Sequence, residues 1–181
     1  MIRIAALGLC LLTLLSACGL RPLYGGAESP ARQTLGAVEI GGIPGRAGYL
    51  MRGALAQRLG AAGNETPRYR LEVTLDDRIE GFGVRADNAV TRERRTLRAR
   101  FQLVTIDRGT VLLDATAGSD AGVDVVSSEY ATIAAEDSAL ERLTEQVADQ
   151  IVARIALYAT RRAEQQAGNP ASEPAADAEL P

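Results

Sequence analysis

Between Arg68 and Ile106 the chain alternates with a period of two, and few folds accept so long a run of that kind. Odd positions Tyr69, Leu71, Val73, Leu75 and Ile79 are apolar, broken only by Asp77, while even positions Arg68, Arg70, Glu72, Thr74, Asp76, Arg78 and Glu80 are polar. A glycine-bearing stretch from Gly81 to Asn88 follows and reads as a connecting loop around an exposed Phe82. Alternation then resumes from Thr91 to Ile106, with Leu97, Ala99, Phe101 and Leu103 on one side and Arg92, Arg94, Arg98, Arg100 and Gln102 on the other. Successive side chains of a strand point to opposite faces, so both runs predict strands with one buried and one wet face. Asp107-Arg108-Gly109 predicts a hairpin turn into a further strand that buries Val111, Leu113, Ala115 and Ala117. Pairing Thr105 with Val111 sets Gln102 opposite Asp114, with Arg100 as its diagonal neighbour.

The flanks change period. Val38 and Ile40 read as a short first strand, broken by Gly41-Gly42-Ile43-Pro44-Gly45. Met51, Leu55 and Leu59, spaced by four with Ala54 beside them, predict a helix from Arg46 to Leu59 that stops at Gly60, Gly63 and Asn64. From Glu129 one helical stripe runs through Ile133, Leu140, Leu143, Val147, Ile151, Ile155 and Tyr158, capped by Ser127 or Ser128. Gly118 to Val126 reads equally as a loop or a ragged strand end. The expected fold class is α/β, an α+β sandwich in the order β-α-β-β-β-α, with two helices on one face of a mainly antiparallel four-stranded sheet. The arginines take the other face.

Composition narrows the chemistry. The 181 residues include no His, Lys or Trp, which removes the commonest general base and metal ligand together with Ser-His-Asp and Cys-His catalysis. Acidic residues are scattered without a catalytic motif, and there is no glycine-rich phosphate loop, metal cluster or nuclease motif, so neither an enzyme nor a metal site is expected. Charge is uneven along the chain. Arg85, Arg92, Arg94, Arg95, Arg98, Arg100 and Arg108 outnumber Asp87, Glu93 and Asp107, whereas from Gly109 to Asp149 Arg142 alone faces nine acidic residues. One strand is basic and the elements after it are acidic.

The N-terminus supplies an address. Arg3 precedes an apolar run from Ile4 to Leu15, too short to span a bilayer comfortably, and Ser16-Ala17-Cys18-Gly19 follows it. This is the layout of a secretory signal, residues 1–17, ending in a lipoprotein cleavage site. Cys18 is then the acylated residue, carrying a diacylglycerol on its thiol and an acyl chain on its amine, at about 0.8 kcal/mol of anchoring per buried methylene. Cys10 lies inside the apolar run with Leu9 where a small residue is needed. Gly19 after the cysteine, in place of Asp, points to the periplasmic side of an outer membrane. With its one mature cysteine acylated, the chain has no internal disulfide and relies on packing. Residues 18–35, rich in Gly and Pro, read as an extended tether, 36–163 as a single domain, and 164–181 as a disordered acidic tail.

Ala17-Cys18-Gly19-Leu20-Arg21-Pro22-Leu23-Tyr24-Gly25 resembles the start of mature LptE-family lipoproteins of the alphaproteobacterial type, with Leu20 where Phe is usual. The order of strand, helix, basic hairpin and Ala-rich helix after Tyr130-Ala131 agrees with it. The resemblance implies a non-enzymatic role: plugging and helping to assemble the LptD β-barrel and contacting lipopolysaccharide on its way to the surface, with no cofactor beyond the acyl chains. Guanidinium groups suit the phosphates and carboxylates of lipopolysaccharide, so Arg85, Arg92, Arg94, Arg98 and Arg100 are the candidate binding residues. Against this stands a solvated face whose arginines pair with Glu72, Asp76 and Asp114. The other functional class is an accessory lipid-binding lipoprotein of a lipid-transport ABC system. Nucleic acid is not an expected partner, since the stripe lacks interleaved aromatic groups.

Overall fold

The computed structural model describes residues 29–63, 65–84 and 90–168, with the backbone alone for 84, 90 and 91. The signal segment, Cys18, most of the tether, Arg85 and residues 169–181 lie outside the described residues. The elements run α1 (Pro30–Gly36), β1 (Val38–Ile40), α2 (Gly45–Gly60), β2 (Tyr69–Val84), β3 (Val90–Thr105), β4 (Val111–Asp124) and α3 (Glu129–Gly168). The sheet is mixed, in the order β1-β2-β3-β4, with β1 parallel to β2 and the other two pairings antiparallel. Three helices share the face with the odd-numbered side chains of β2 and β3, and one apolar core runs from Ala31 to Ala156.

Helix α1 corrects the expected order and the expected tether. Ser29 accepts a hydrogen bond from Arg32 N (3.3 Å), Pro30 occupies the first turn, and Ala31 and Leu35 are buried. A capped turn with Pro at its start is favourable even in a Gly/Pro-rich stretch, and two buried side chains hold so short a helix in place.

In α2, Met51, Leu55 and Leu59 are buried, and so is Gly48, where a Cβ would lie 2.5 Å from the Ile43 carbonyl oxygen. The hairpin turn is as expected: Gly109 takes φ +66° and its N–H donates to Thr105 O (2.9 Å). Gln102 faces Asp114 as expected, yet Val104, not Thr105, stands opposite Val111, because the register shifts between Leu103 and Val104.

Three further boundaries move. The 118–126 stretch is strand as far as Asp124, the small residues Ala115, Ala117 and Ala121 letting α3 lie close over β4. Phe82 belongs to β2, opposite Arg92, and not to a loop. α3 continues through Glu164, Gln165, Gln166 and Ala167, all favourable in a helix, and ends at Gly168, so those residues are not tail. Within α3 Leu140, Leu143, Val147, Ile151 and Ile155 are buried, whereas Ile133 is 49% exposed. Ser128 is the cap, accepting from Ala131 N (3.4 Å).

Candidate functional site

The even-numbered side chains of β2, β3 and β4 form the outer face, away from the helices. Opposite each arginine row on β3 stands β4, whose even positions include Asp114, Asp120 and Asp124. The basic row is largely paired, with Asp114 as the sequence allowed and with Asp120 and Asp124 besides. Arg100 Nη2 lies 2.7 Å from Asp114 Oδ2, which also accepts from Gln102 Nε2 (2.8 Å). Arg92 Nε reaches Asp124 at 2.9 Å, and Arg94 approaches Asp120 only to 3.9 Å. Asp76 takes Arg78 instead of a β3 arginine. Hydrogen bonds from Arg100, then Gln102, hold Asp114 down to about 2, so it stays ionised through the mildly acid range.

Among the described residues Arg98 alone of the four β3 candidates has no ion pair. It stands opposite Gly118, where a Cβ would sit 3.3 Å from Arg98 Cγ. Further along the face, beyond Thr96, the loosely held Arg94 guanidinium lies over the Phe82 ring at 5.3 Å. The outer face thus grades from the firmly closed Arg100–Asp114 pair to an open guanidinium and a cation stacked on a 39% exposed aromatic ring. An anion with an attached apolar group finds both kinds of contact there. Arg85 lies outside the described residues.

Sequence reasoning passed over a pair on the inner face. Arg95 is 8% exposed, with Nη2 at 2.6 Å and Nε at 2.9 Å from the two Asp77 oxygens and Nη1 donating to the Glu136 carbonyl at 2.9 Å. The signal was visible: Asp77 and Arg95 are charges in the apolar phase of neighbouring strands, at diagonal positions, and Glu93 is a third in the same phase of β3. The Asp77 hydrogen bond, which outweighs the cost of burial, raises the Arg95 guanidinium further above its already high value. Beside it Glu93 Oε2 is buried with no hydrogen-bond partner among the described residues, and burial first, then the Glu93 carboxylate, pushes Glu136 up.

A separate hollow of about 370 Å³ opens between the three helices, lined by Arg32, Leu35, Arg58, Ala62, Asp149 and Val152. Its rim is closed chemically, since Arg58 is spent on Asp149 and on the Ala54 and Glu145 carbonyls, and Arg32 Nε on the Ala62 carbonyl. No group of acidic or cysteine residues that could hold a metal occurs among the described residues. None of the described helices is long and apolar enough to cross a membrane.

Residues 35–155 match the sequence model of LptE, a family described as lipopolysaccharide-assembly. Solved structures with the same fold include a proposed lipoprotein of Caulobacter crescentus CB15, 23% identical with a TM-score of 0.60 over 73% of this chain and 96% of that one. A minor lipoprotein of Acinetobacter baumannii is 16% identical, with a TM-score of 0.56 over 66% and 90% of the two chains. An uncharacterized lipoprotein B of Nitrosomonas europaea is 12% identical, with a TM-score of 0.56 over 71% and 86%. No curated protein sequence matches the chain.

Proposed function

This chain belongs to the LptE lipopolysaccharide-assembly family, and from that premise we propose that it is a non-enzymatic, lipid-anchored protein of the outer membrane that plugs and helps assemble an LptD-like β-barrel and contacts lipopolysaccharide. The family match over residues 35–155 carries the reading. Cys18, after an apolar run and two small residues, is the acylated residue, and its acyl chains hold the domain on the periplasmic side. The outer face supports residence in a polar lumen: β4 aspartates balance β3 arginines, so the strands present charge without a large net field.

Within that role the lipopolysaccharide contact narrows to Arg98 and Arg94, the two guanidiniums least committed to carboxylates, with Phe82 as the apolar neighbour. Arg92 and Arg100 must first give up Asp124 and Asp114. Pull-down of the acylated protein from detergent-extracted membranes tests the role, and failure to recover a large β-barrel protein overturns it. For the contact, the Arg94→Ala/Arg98→Ala chain is expected to lose lipopolysaccharide affinity about tenfold, as for the loss of charge-assisted hydrogen bonds. Equal affinity for parent and variant removes the assignment.

A further inference from the structure

The two edges of the sheet are finished differently. On β4 the side chain of Gln150 from α3 clamps the outer edge at Gly118, donating to its carbonyl (3.2 Å) and accepting from its N–H (3.3 Å). Ser119 Oγ donates to Gln146 Oε1 beside it (2.8 Å). On β2 nothing comparable occurs among the described residues. β1 pairs only with Tyr69, Arg70 and Leu71, Gly41 N adds one bond to Leu71 O (2.9 Å), and the chain then turns away into α2. Tyr69 N donates to Ala37 O and Leu71 O accepts from Gly41 N, so the odd residues of β2 turn their peptide groups to this side. From Val73 to Gly81, β2 has a strand neighbour on one side alone among the described residues.

An open edge of this length is a template for another strand. The side chains along it say which. Outward lie Asp76, Arg78 and Glu80; inward lie Leu75, Asp77 and Ile79, the last 42% exposed. We propose that this edge pairs with the same edge of a second copy of the chain, antiparallel, with Ile79 opposite Ile79 on the two-fold axis. In that register Arg78 faces Glu80 twice, Asp77 faces Gly81, and no like charges meet. Centring on Arg78 would oppose two arginines and set Asp76 against Glu80, and centring on Asp77 would oppose two aspartates.

The parity is right, since Asp77, Ile79 and Gly81 turn their peptide groups outward, giving about six backbone hydrogen bonds across the axis. A cleft of about 590 Å³ lined by Gly41, Gly42, Pro44, Thr74 and Leu75 lies where β1 leaves β2, which is where the far end of the neighbour's strand arrives. The eleven steps of chain from Cys18 to Ser29 can span at most about 36 Å, enough for both anchors to enter one bilayer with the joined sheet lying along it. The pairing is independent of the barrel reading and describes the chain when no barrel partner is present.

The test uses the chain from residue 18 onward with Cys18→Ser, which contains every described element. It is expected to dimerise in sedimentation equilibrium, and adding Ile79→Cys, then the sole thiol, is expected to give a disulfide-linked dimer under mild oxidation. Arg78→Glu should weaken the dimer about tenfold by opposing like charges, and Arg78→Glu with Glu80→Arg should restore it, which separates pairing from folding. A monomer at every concentration, an Arg78→Glu chain that dimerises like its parent, or cross-linking through Thr74→Cys in place of Ile79→Cys overturns the proposal.

Discussion

The inward side chains of β2 change character along the strand. Leu71 and Val73 are buried against Leu103 and Phe101 of β3 under the helices, whereas Asp77 and Ile79 lie beside Leu97 and Arg95, with Asp77 in an ion pair and Ile79 partly in solvent. One half of the hairpin is held by apolar burial and the other by a shielded carboxylate–guanidinium contact that also reaches the α3 backbone. The two devices differ in how they fail. A truncated apolar side chain leaves a void whose cost scales with its volume, while a truncated partner of a shielded pair leaves a charge with nowhere to go.

The largest effect is expected in the apolar half. Phe101 is fully buried, and Phe101→Ala should cost about 4 kcal/mol in urea unfolding. A loss below about 1 kcal/mol would mean that the helices repack over the gap. Next comes Asp77→Ala, which strands Arg95 at 8% exposure and should cost about 2–3 kcal/mol, at the low end for a buried pair because Asp77 itself is partly wet. Restoring stability with Asp77→Ala/Arg95→Leu would show that the pair confers position more than energy.

Glu136 sharpens the comparison with the opposite sign. Its folded-state value is raised by burial and by Glu93, so its protonated form favours the fold, a contribution present below the ordinary glutamate value and lost as pH rises through the raised one. Glu136→Gln is therefore expected to raise the melting temperature at neutral pH, with the gain vanishing in the acid range. A gain that persists in acid would point away from charge. The smallest effect belongs to the outer face: Arg92→Ala breaks a pair whose partners are 61% and 73% exposed and should change stability by no more than about 0.5 kcal/mol.

The same contrast explains what could be read in the residues beforehand. Period-two alternation in large apolar side chains marked β2 and β3, and the four-residue spacing of Met51, Leu55 and Leu59 marked α2, because packing against a core leaves that imprint. The end of β4 alternates too, but in Ala, Ser, Gly and Asp, where low strand propensity hides the pattern and only the overlying helix explains it. α1 carried its Ser-Pro start in plain view, yet seven residues are too few for a periodic stripe.

Of the candidate site, the row of guanidiniums was legible from parity, and the Gln102–Asp114 contact from the turn. Its neutralisation by Asp120 and Asp124 was not, since it depends on β4 continuing past Gly118. Arg95 and Asp77 broke the apolar phase on adjacent strands, a local conflict that an inner-face ion pair resolves.

The placement of α3 sets an order of events in time. It is the last described element, and its residues from Ala139 to Ala159 form much of the core that covers β3 and β4. A chain delivered N-terminus first, from a ribosome or through a translocation pore, keeps the apolar side of its hairpins uncovered until those residues have emerged. Completion of the fold is thereby deferred to the end of delivery, and a holding factor that shields exposed strands has its longest opportunity on this protein between the appearance of Asp124 and that of Ala159.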